Sequence, residues 1–421
     1  MEISTNKNIN VLLLNHFQNG GGAAGYLRGK IPGINQYLTT FFSSRSDIER
    51  LQRAEFLCEL ILDLTDFSDI IPIRAEVATL EVKRLISYKK QSDHTAHTLY
   101  LFLLGIWAYD NISELKQAIN KSIDSNKPVK MFIFQWTFSS LLHDIGYLFY
   151  DFEKRINIKS WKVYDKMFDY DSLLQFSGKL SSEGASEFKK LWNSFVKKYG
   201  LPNHAEQENS LNLIEMLDNI PWLAELIPNY HSGLQLLNSI SGIDLTEFAF
   251  KMAKTGYNGE PVIDHGVASG LMLLKYSSIW YWFSNQAAES SPVLYKEMNS
   301  MFHYYPQTLM KHVIPACRAV AYHNIPGVTF NLNQDPLLYL EVLCDELQIW
   351  DRFLSGSEHI DSWQKINQCM AESIFAEKIL GETESPLLHL MLSQDHYPKI
   401  HESLEKRVEN WSQFIQLSLF K

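Results

Sequence analysis

The sequence predicts an all-α protein. Apolar residues recur at the spacing of one helix face through most of the 421 residues, and the period-2 alternation of strands is scarce. Polar breaks that can cap or end a helix separate these stretches, as at residues 89–93 and 324–327. Apolar residues make up 46% of the chain and aromatic residues 13%, so the chain can bury a large core. We therefore expect a helical bundle with additions around it.

Changes in composition divide the chain into three segments. Residues 1–90 are predicted to be an N-terminal helical segment, residues 91–355 the core, and residues 356–421 a C-terminal helical appendage. Within the core, residues 151–260 are more polar and more charged, and we interpret them as an inserted helical region. A lid and a surface for homo-oligomer contact both suit such an insertion, and the sequence leaves the two open.

Charge and cysteine content exclude several classes of protein. A net charge of −10 argues against a protein that coats nucleic acid or holds a stable duplex, because that role needs a basic face. The N-terminus lacks a signal sequence, and the apolar stretches are too short to predict a membrane span. We therefore expect a cytoplasmic protein with reduced thiols and no membrane partner. The cysteines, which form no CxxC, are Cys58, Cys317, Cys344 and Cys369.

A glycine-rich stretch near the N-terminus resembles a phosphate loop only loosely. Gly20 to Gly25 reads GGGAAG, but Lys30 is followed by Ile31 and not by Ser or Thr. The Walker pattern is therefore broken, and we predict a turn.

The segment from 131 to 150 carries a histidine and an aspartate in an otherwise apolar helix. It contains LLHDIGY, with His143 and Asp144 at its centre. Burying these two groups is costly unless they are paired or bound to a metal. Small residues at helical spacing from His143, such as Ser139, Ser140 and Gly146, leave room beside the imidazole.

Similar polar exceptions recur on other predicted helices. Four imidazoles and two carboxylates lie on apolar faces, and such side chains can converge on a metal in the core of a bundle. This donor set suits Mn, Fe, Co, Ni, Zn or Mg, as one or two ions. The helices are predicted over about residues 93–110, 131–150, 265–283, 309–323 and 336–353. The candidate ligands, in order, are His97, His143, Asp144, His265, His323 and Asp345.

The ordered series H…HD…H…H…D resembles the HD-domain superfamily of metal-dependent phosphohydrolases, over about residues 90–355. The resemblance implies an HD-domain helical bundle whose metal site cleaves phosphate esters or anhydrides, often in nucleotides. It places His97, His143, Asp144 and Asp345 in the one-metal set. It matches His265 and His323 to the extra histidines of two-metal members, and it makes Asp144, His265 and His323 the catalytic candidates.

Two positions depart from the best-known branches of that superfamily. Tyr147 stands where deoxynucleotide triphosphohydrolases have a second histidine and where cyclic-di-GMP phosphodiesterases have a lysine, and no GYP loop follows. The stretch DHTAHT offers both His94 and His97 as first ligand, and the register of HTLYLF favours His97. The residues predicted to contact substrate are His94, Tyr147, Lys254, Arg318 and Arg352.

The leading functional hypothesis is hydrolysis of a phosphate bond in a (deoxy)nucleoside triphosphate or a signalling nucleotide. By family analogy the setting is bacterial antiviral defence. A single-strand nuclease is an alternative, which the acidic charge and the lack of a basic, aromatic-rich stretch disfavour. A non-catalytic module that binds a nucleotide or a partner is another, which the complete ligand set disfavours.

Overall fold

A computed structural model describes most of the chain. The described residues are 8–44, 47–65, 70–88, 94–149, 158–176, 180–201, 209–240, 242–256, 259–301, 305–348, 375–380 and 386–419.

Helices make up most of the described structure, which confirms the predicted all-α character of the chain. None of these helices combines the length and the hydropathy needed to cross a bilayer. The first ten are α1 Ile9–Asn19, α2 Gly22–Lys30, α3 Ile34–Phe42, α4 Asp47–Leu62, α5 Ile71–Tyr88, α6 His94–Asn111, α7 Ser113–Ile123, α8 Pro128–Leu142, α9 Ile158–Lys166 and α10 Tyr170–Phe176. Then follow α11 Ser182–Tyr199, α12 Ser210–Asp218, α13 Gly233–Leu237, α14 Leu245–Thr255, α15 His265–Ser290, α16 Pro292–Met301, α17 Pro306–Thr308, α18 Ile314–Tyr322, α19 Pro336–Leu347 and α20 Tyr397–Arg407.

The predicted helices around the candidate ligands are present, with shifted ends. The helix expected over 131–150 ends at Leu142, and residues 145–149 continue as a 3₁₀ turn. The helix expected over 265–283 runs on to Ser290. A π-helical turn over 309–313 precedes α18, because Pro315 has no N–H to continue the regular hydrogen-bond pattern.

The prediction of a C-terminal helical appendage is wrong for many of the described residues in that segment. Residues 375–419 contain α20 and a sheet of three strands, β1 Phe375–Leu380, β2 Pro386–Leu392 and β3 Ile415–Leu419. β2 pairs antiparallel with β1 and parallel with β3. Leu388, Leu390 and Leu392 are buried on one face, which is the period-2 pattern of a half-buried strand. The pattern spans only a few residues per strand, which is too few to distinguish a strand from a short helix in the sequence.

The described structure divides into two compact units, each built from separated stretches. The first unit comprises residues 1–61, 81–141 and 325–421, and the second comprises residues 62–80 and 142–324. The boundaries predicted at residues 90 and 355 are a different division and stay predictions.

In the first unit, α6 and α8 pack closely along their apolar faces. A Cβ on Gly105 of α6 would lie 2.0 Å from the Trp136 ring of α8, so only glycine permits this approach. The Trp136 indole N–H donates to the Phe102 carbonyl at 2.9 Å, and Tyr109 stacks on Phe132 with ring centroids 3.8 Å apart. This packing buries the helix that carries His97.

In the first unit, the glycine run leads into α2, and the side chain of Asp110 caps the start of this helix. The Asp110 carboxylate accepts the backbone N–H groups of Ala23 at 2.7 Å and Ala24 at 2.9 Å, and it contacts His16 Nε2 at 3.1 Å. Gly22 has φ +58°, and a Cβ there would collide with that carboxylate. The predicted turn is confirmed only for Gly20 and Gly21, because Gly22 to Gly25 belong to α2. A side chain of the protein occupies the place that a phosphate takes in a phosphate loop.

In the second unit, the long helix α15 is the central element. Most of its residues are buried, and α18, α16, α12 and α11 all pack against it. Lys275 lies near its middle, only 4% exposed, and donates from Nζ to the Met216 carbonyl at 2.6 Å. The N-terminal end of α15 meets the turn that follows α8, and the candidate ligands of this unit lie there.

Candidate metal centre

The first unit joins the two outermost candidate ligands. His97 on α6 places Nε2 2.9 Å from Oδ1 of Asp345 on α19. The two residues are 2% and 5% exposed, so each supplies the partner that burial of the other requires. The choice of His97 as first ligand stays a prediction. His94 begins α6, but its side chain lies outside the described part of the chain.

A second buried carboxylate lies one helical turn before Asp345. Glu341 is 0% exposed, and the sequence analysis did not select it. Burial raises the pKa of the Cys344 thiol well above its usual range, and the charges of Glu341 and Asp345 add to that effect. Negative potential is therefore concentrated on this part of α19. The signal in the sequence was a glutamate in an apolar run, the same signal that identified Asp345.

In the second unit, three histidines surround Asp144. Its Oδ2 lies 3.3 Å from His143 Nε2, and its Oδ1 lies 3.3 Å from His265 Nε2 and 3.9 Å from His323 Nε2. Ring centroids are 4.7 Å apart for His143 and His323, and 5.1 Å for His265 and His323. The structure thus brings together four of the predicted ligands, which span 180 positions of the sequence.

The turn after α8 presents His143 and Asp144 to α15. The Gly146 N–H donates to Ser269 Oγ at 2.7 Å, and the Ser269 hydroxyl donates to the His265 carbonyl at 2.7 Å. A Cβ on Gly146 would lie 2.2 Å from that same carbonyl oxygen. Glycine is therefore required here because the backbone of the turn rests directly on the first turn of α15.

Glycines on α15 bring α18 equally close. A Cβ on Gly266 would lie 2.9 Å from the His323 ring, and one on Gly270 would lie 2.6 Å from the Cys317 carbonyl oxygen. Asp264 caps α15 as predicted, accepting the Val267 N–H at 3.0 Å. The small residues of this segment therefore set the distance at which His323 meets the other histidines, as the sequence indicated.

Two contacts orient the histidine rings. His323 Nδ1 lies 2.7 Å from the Val320 carbonyl, which can only accept, so Nδ1 carries the proton and Nε2 offers its lone pair towards Asp144. This is the tautomer of a metal-binding histidine. Asn324, which the sequence analysis did not select, lies with Nδ2 3.5 Å from His265 Nδ1 and donates to Asp264 at 3.2 Å.

This cluster has the donors of a transition-metal site. Ligand atoms of His143, Asp144 and His323 all lie within 4.8 Å of one another, and all three residues are buried. Neutral imidazoles and a carboxylate suit Mn, Fe, Co, Ni or Zn better than calcium. These residues therefore fit the predicted divalent ion, and the type of ion stays open.

The predicted substrate contacts are distributed unevenly. Tyr147 stacks on His265 with ring centroids 4.2 Å apart and an angle of 16° between the planes. Arg318 on α18 donates from Nε to the Leu237 carbonyl at 3.2 Å, so that one of its donors holds α13. Lys254 is exposed on α14. Arg352 lies outside the described residues, and the predicted phosphate-binding roles of these side chains stay predictions.

Comparison of the chain with protein-family models, with curated proteins and with solved structures gives no match.

Proposed function

We propose that the chain is a metal-dependent phosphohydrolase of the HD superfamily, which cleaves a phosphate ester or anhydride bond in a nucleotide. One observation carries the proposal. His143, Asp144, His265 and His323 converge in one cluster, in which only His265 is partly exposed, in the sequence order of the H…HD…H…H…D series. A buried carboxylate among three imidazoles is costly to assemble unless it has a use, and metal binding is the most direct one.

In the second unit, different histidines face the two carboxylate oxygens of Asp144. Oδ2 faces His143, whereas Oδ1 faces His265 and His323. His143, Asp144 and His323 would hold one ion, and His265 would join Asp144 in holding a second. A bound divalent ion supplies Lewis acidity to the phosphate and lowers the pKa of an attacking water.

The resemblance adds His97 and Asp345 to the same ligand set, and their membership is part of the proposal. Their mutual contact at 2.9 Å and their burial support a joint role. Loss of metal from a His97→Gln variant would place the pair in the set, whereas unchanged metal affinity would limit the set to the cluster around Asp144.

The substrate is proposed to be a (deoxy)nucleoside triphosphate or a signalling nucleotide in the cytoplasm, in a role in antiviral defence. Tyr147 is proposed to contact the substrate, because its ring lies against His265 at this end of the cluster. His94, Lys254, Arg318 and Arg352 are the proposed phosphate contacts.

A substrate panel tests the proposal. The metal-stripped chain is loaded with Mn²⁺ and incubated with dNTPs, NTPs, cyclic nucleotides and short single strands, and the products are identified by mass. We expect His143→Gln to abolish hydrolysis. His312→Gln is the matched control, because His312 is also buried, at 6% exposed, but does not belong to the cluster.

The other outcomes separate the alternatives. Cleavage of single strands but of no free nucleotide would make the chain a nuclease. Tight binding of one nucleotide without turnover would favour a regulatory module. Equal activity in His143→Gln and wild type, with no metal bound to either, would refute the proposed metal centre.

A further inference from the structure

A relay of three polar side chains crosses the sheet of the first unit. His389 on β2 lies with Nδ1 3.0 Å from Glu377 Oε1 on β1 and with Nε2 2.8 Å from Ser418 Oγ on β3. Glu377 pairs directly with His389, and Ser418 lies two residues beyond Gln416, the β3 partner of His389. All three side chains therefore stand on one face of the sheet.

The hydrogen bonds of the relay determine its protonation pattern. A carboxylate only accepts, so His389 Nδ1 carries the proton and donates to Glu377. In the neutral imidazole, Nε2 is then the acceptor, and the Ser418 hydroxyl donates to it. A serine that donates to a histidine held by a carboxylate is the arrangement of an activated nucleophile, its general base and the group that orients the base.

The relay lies on the more accessible face of the sheet. Leu388 and Leu390 point to the buried face, at 1% and 0% exposed. The side chains of His389 and Glu377 are 15% and 36% exposed. The relay is therefore part-buried and not sealed in the core.

The backbone of β3 offers a donor for the developing negative charge. The Leu388 N–H donates to the Phe414 carbonyl at 3.0 Å, so Phe414, Gln416 and Ser418 direct their backbone groups to β2. The N–H of Leu419 therefore points away from β2, on the outer side of β3, which is an edge strand of the sheet that the described residues form. A backbone N–H next to the nucleophile is a usual oxyanion donor.

We propose that Ser418 is the nucleophile of a second, independent active site that transfers the acyl group of an activated ester. The Ser418 oxygen attacks the carbonyl carbon while its proton passes to His389 Nε2, and the bond to the leaving alcohol breaks as that alcohol takes the proton. Water then attacks the acyl-serine, with His389 again accepting and returning a proton, to release the acid. Glu377 is a positioning residue that holds the tautomer of His389.

Covalent labelling of the full-length chain tests the proposal. A fluorophosphonate probe is added to the native protein, and the modified residue is identified by peptide mass spectrometry. We expect Ser418 to be labelled in the native chain but not in the urea-denatured chain. His389→Gln should lower the labelling rate by about 10²-fold, the usual contribution of a general base.

Ser393 is the matched control inside the same protein. Its Oγ lies 3.0 Å from His396 Nδ1, in a serine–histidine contact within one turn of the chain. Ser393→Ala should leave the labelling and the hydrolysis of p-nitrophenyl acetate unchanged, whereas Ser418→Ala should abolish both. His143→Gln should leave the Ser418 labelling intact, because the proposed phosphohydrolase is a separate site.

Three outcomes would overturn the proposal. The first is labelling of Ser393 as fast as that of Ser418. The second is an unchanged rate of Ser418 labelling in a His389→Gln variant whose circular dichroism matches that of the wild type. The third is equal labelling of the native and denatured chains. The three side chains would then serve only to hold the strands together.

Discussion

Replacement of Gly146 by alanine tests whether the turn after α8 rests on α15 as described. The new Cβ would lie 2.2 Å from the His265 carbonyl oxygen and 2.9 Å from Ser269 Oγ. The carbonyl belongs to the backbone of a helix and cannot rotate away, so the turn must move by about 1.2 Å to reach ordinary contact.

The expected cost follows from two terms. Overpacking of a close-packed site costs about 1–3 kcal/mol, and loss of the hydrogen bond from the Gly146 N–H to Ser269 adds about 1 kcal/mol. We expect Gly146→Ala to lower the free energy of unfolding by about 2–4 kcal/mol and the Tm of the 421-residue chain by roughly 2–5 °C. Because the same turn carries Asp144, the affinity for Mn²⁺ should fall by about tenfold or more.

Urea denaturation and Mn²⁺ titration of the full-length variant measure these effects. Gly29→Ala is the matched control, because no atom lies within 4 Å of a Cβ at that position of α2. Alanine there should be neutral or stabilising, since it favours a helix over glycine by about 1 kcal/mol. A Gly146→Ala variant as stable as wild type, with unchanged Mn²⁺ affinity, would refute the close contact and the argument built on it.

The remaining predictions concern the metal ion, the buried Lys275, and Ser269, whose hydroxyl connects Gly146 to His265. Mn²⁺ at a hundredfold excess over Kd should stabilise the wild type by about 2.7 kcal/mol, reversed by a chelator, and a thermal shift that persists in Asp144→Asn would contradict the site. Burial lowers the pKa of Lys275 to about 7 from an ordinary value of 10.5. Between pH 7 and pH 10.5 the unfolded chain therefore binds more protons than the folded chain. The free energy of unfolding should rise with pH in this range, by about 1.4 kcal/mol per pH unit. Urea curves at several pH values check this, and Lys275→Met should flatten the slope. Ser269→Ala should cost about 1–3 kcal/mol in the same assay, since it leaves the buried Gly146 N–H without its acceptor.

The helices around the site were predictable because their signal is local. An apolar face repeats every three to four residues, so α6, α15 and α19 could be located from a short window of sequence. A polar residue on such a face stands out because burying it costs free energy unless it has a partner, and this signal identifies Asp345. Glu341 gives the same signal and was overlooked. The strands were missed because each has only five to seven residues, too few for a clear period.

The sequence alone determined the helical class and identified the candidate ligands as polar residues on apolar helix faces, because helical period is a property of neighbouring positions. Only the tertiary structure decided which atoms meet. Asp144 faces His265 and His323 because Gly146 in the turn after α8, together with the glycines on α15, lets the backbones approach closely, and no local pattern specifies a distance across more than a hundred residues. The contact between His389 and Ser418 likewise depends on the pairing register of separate strands, which the tertiary fold sets.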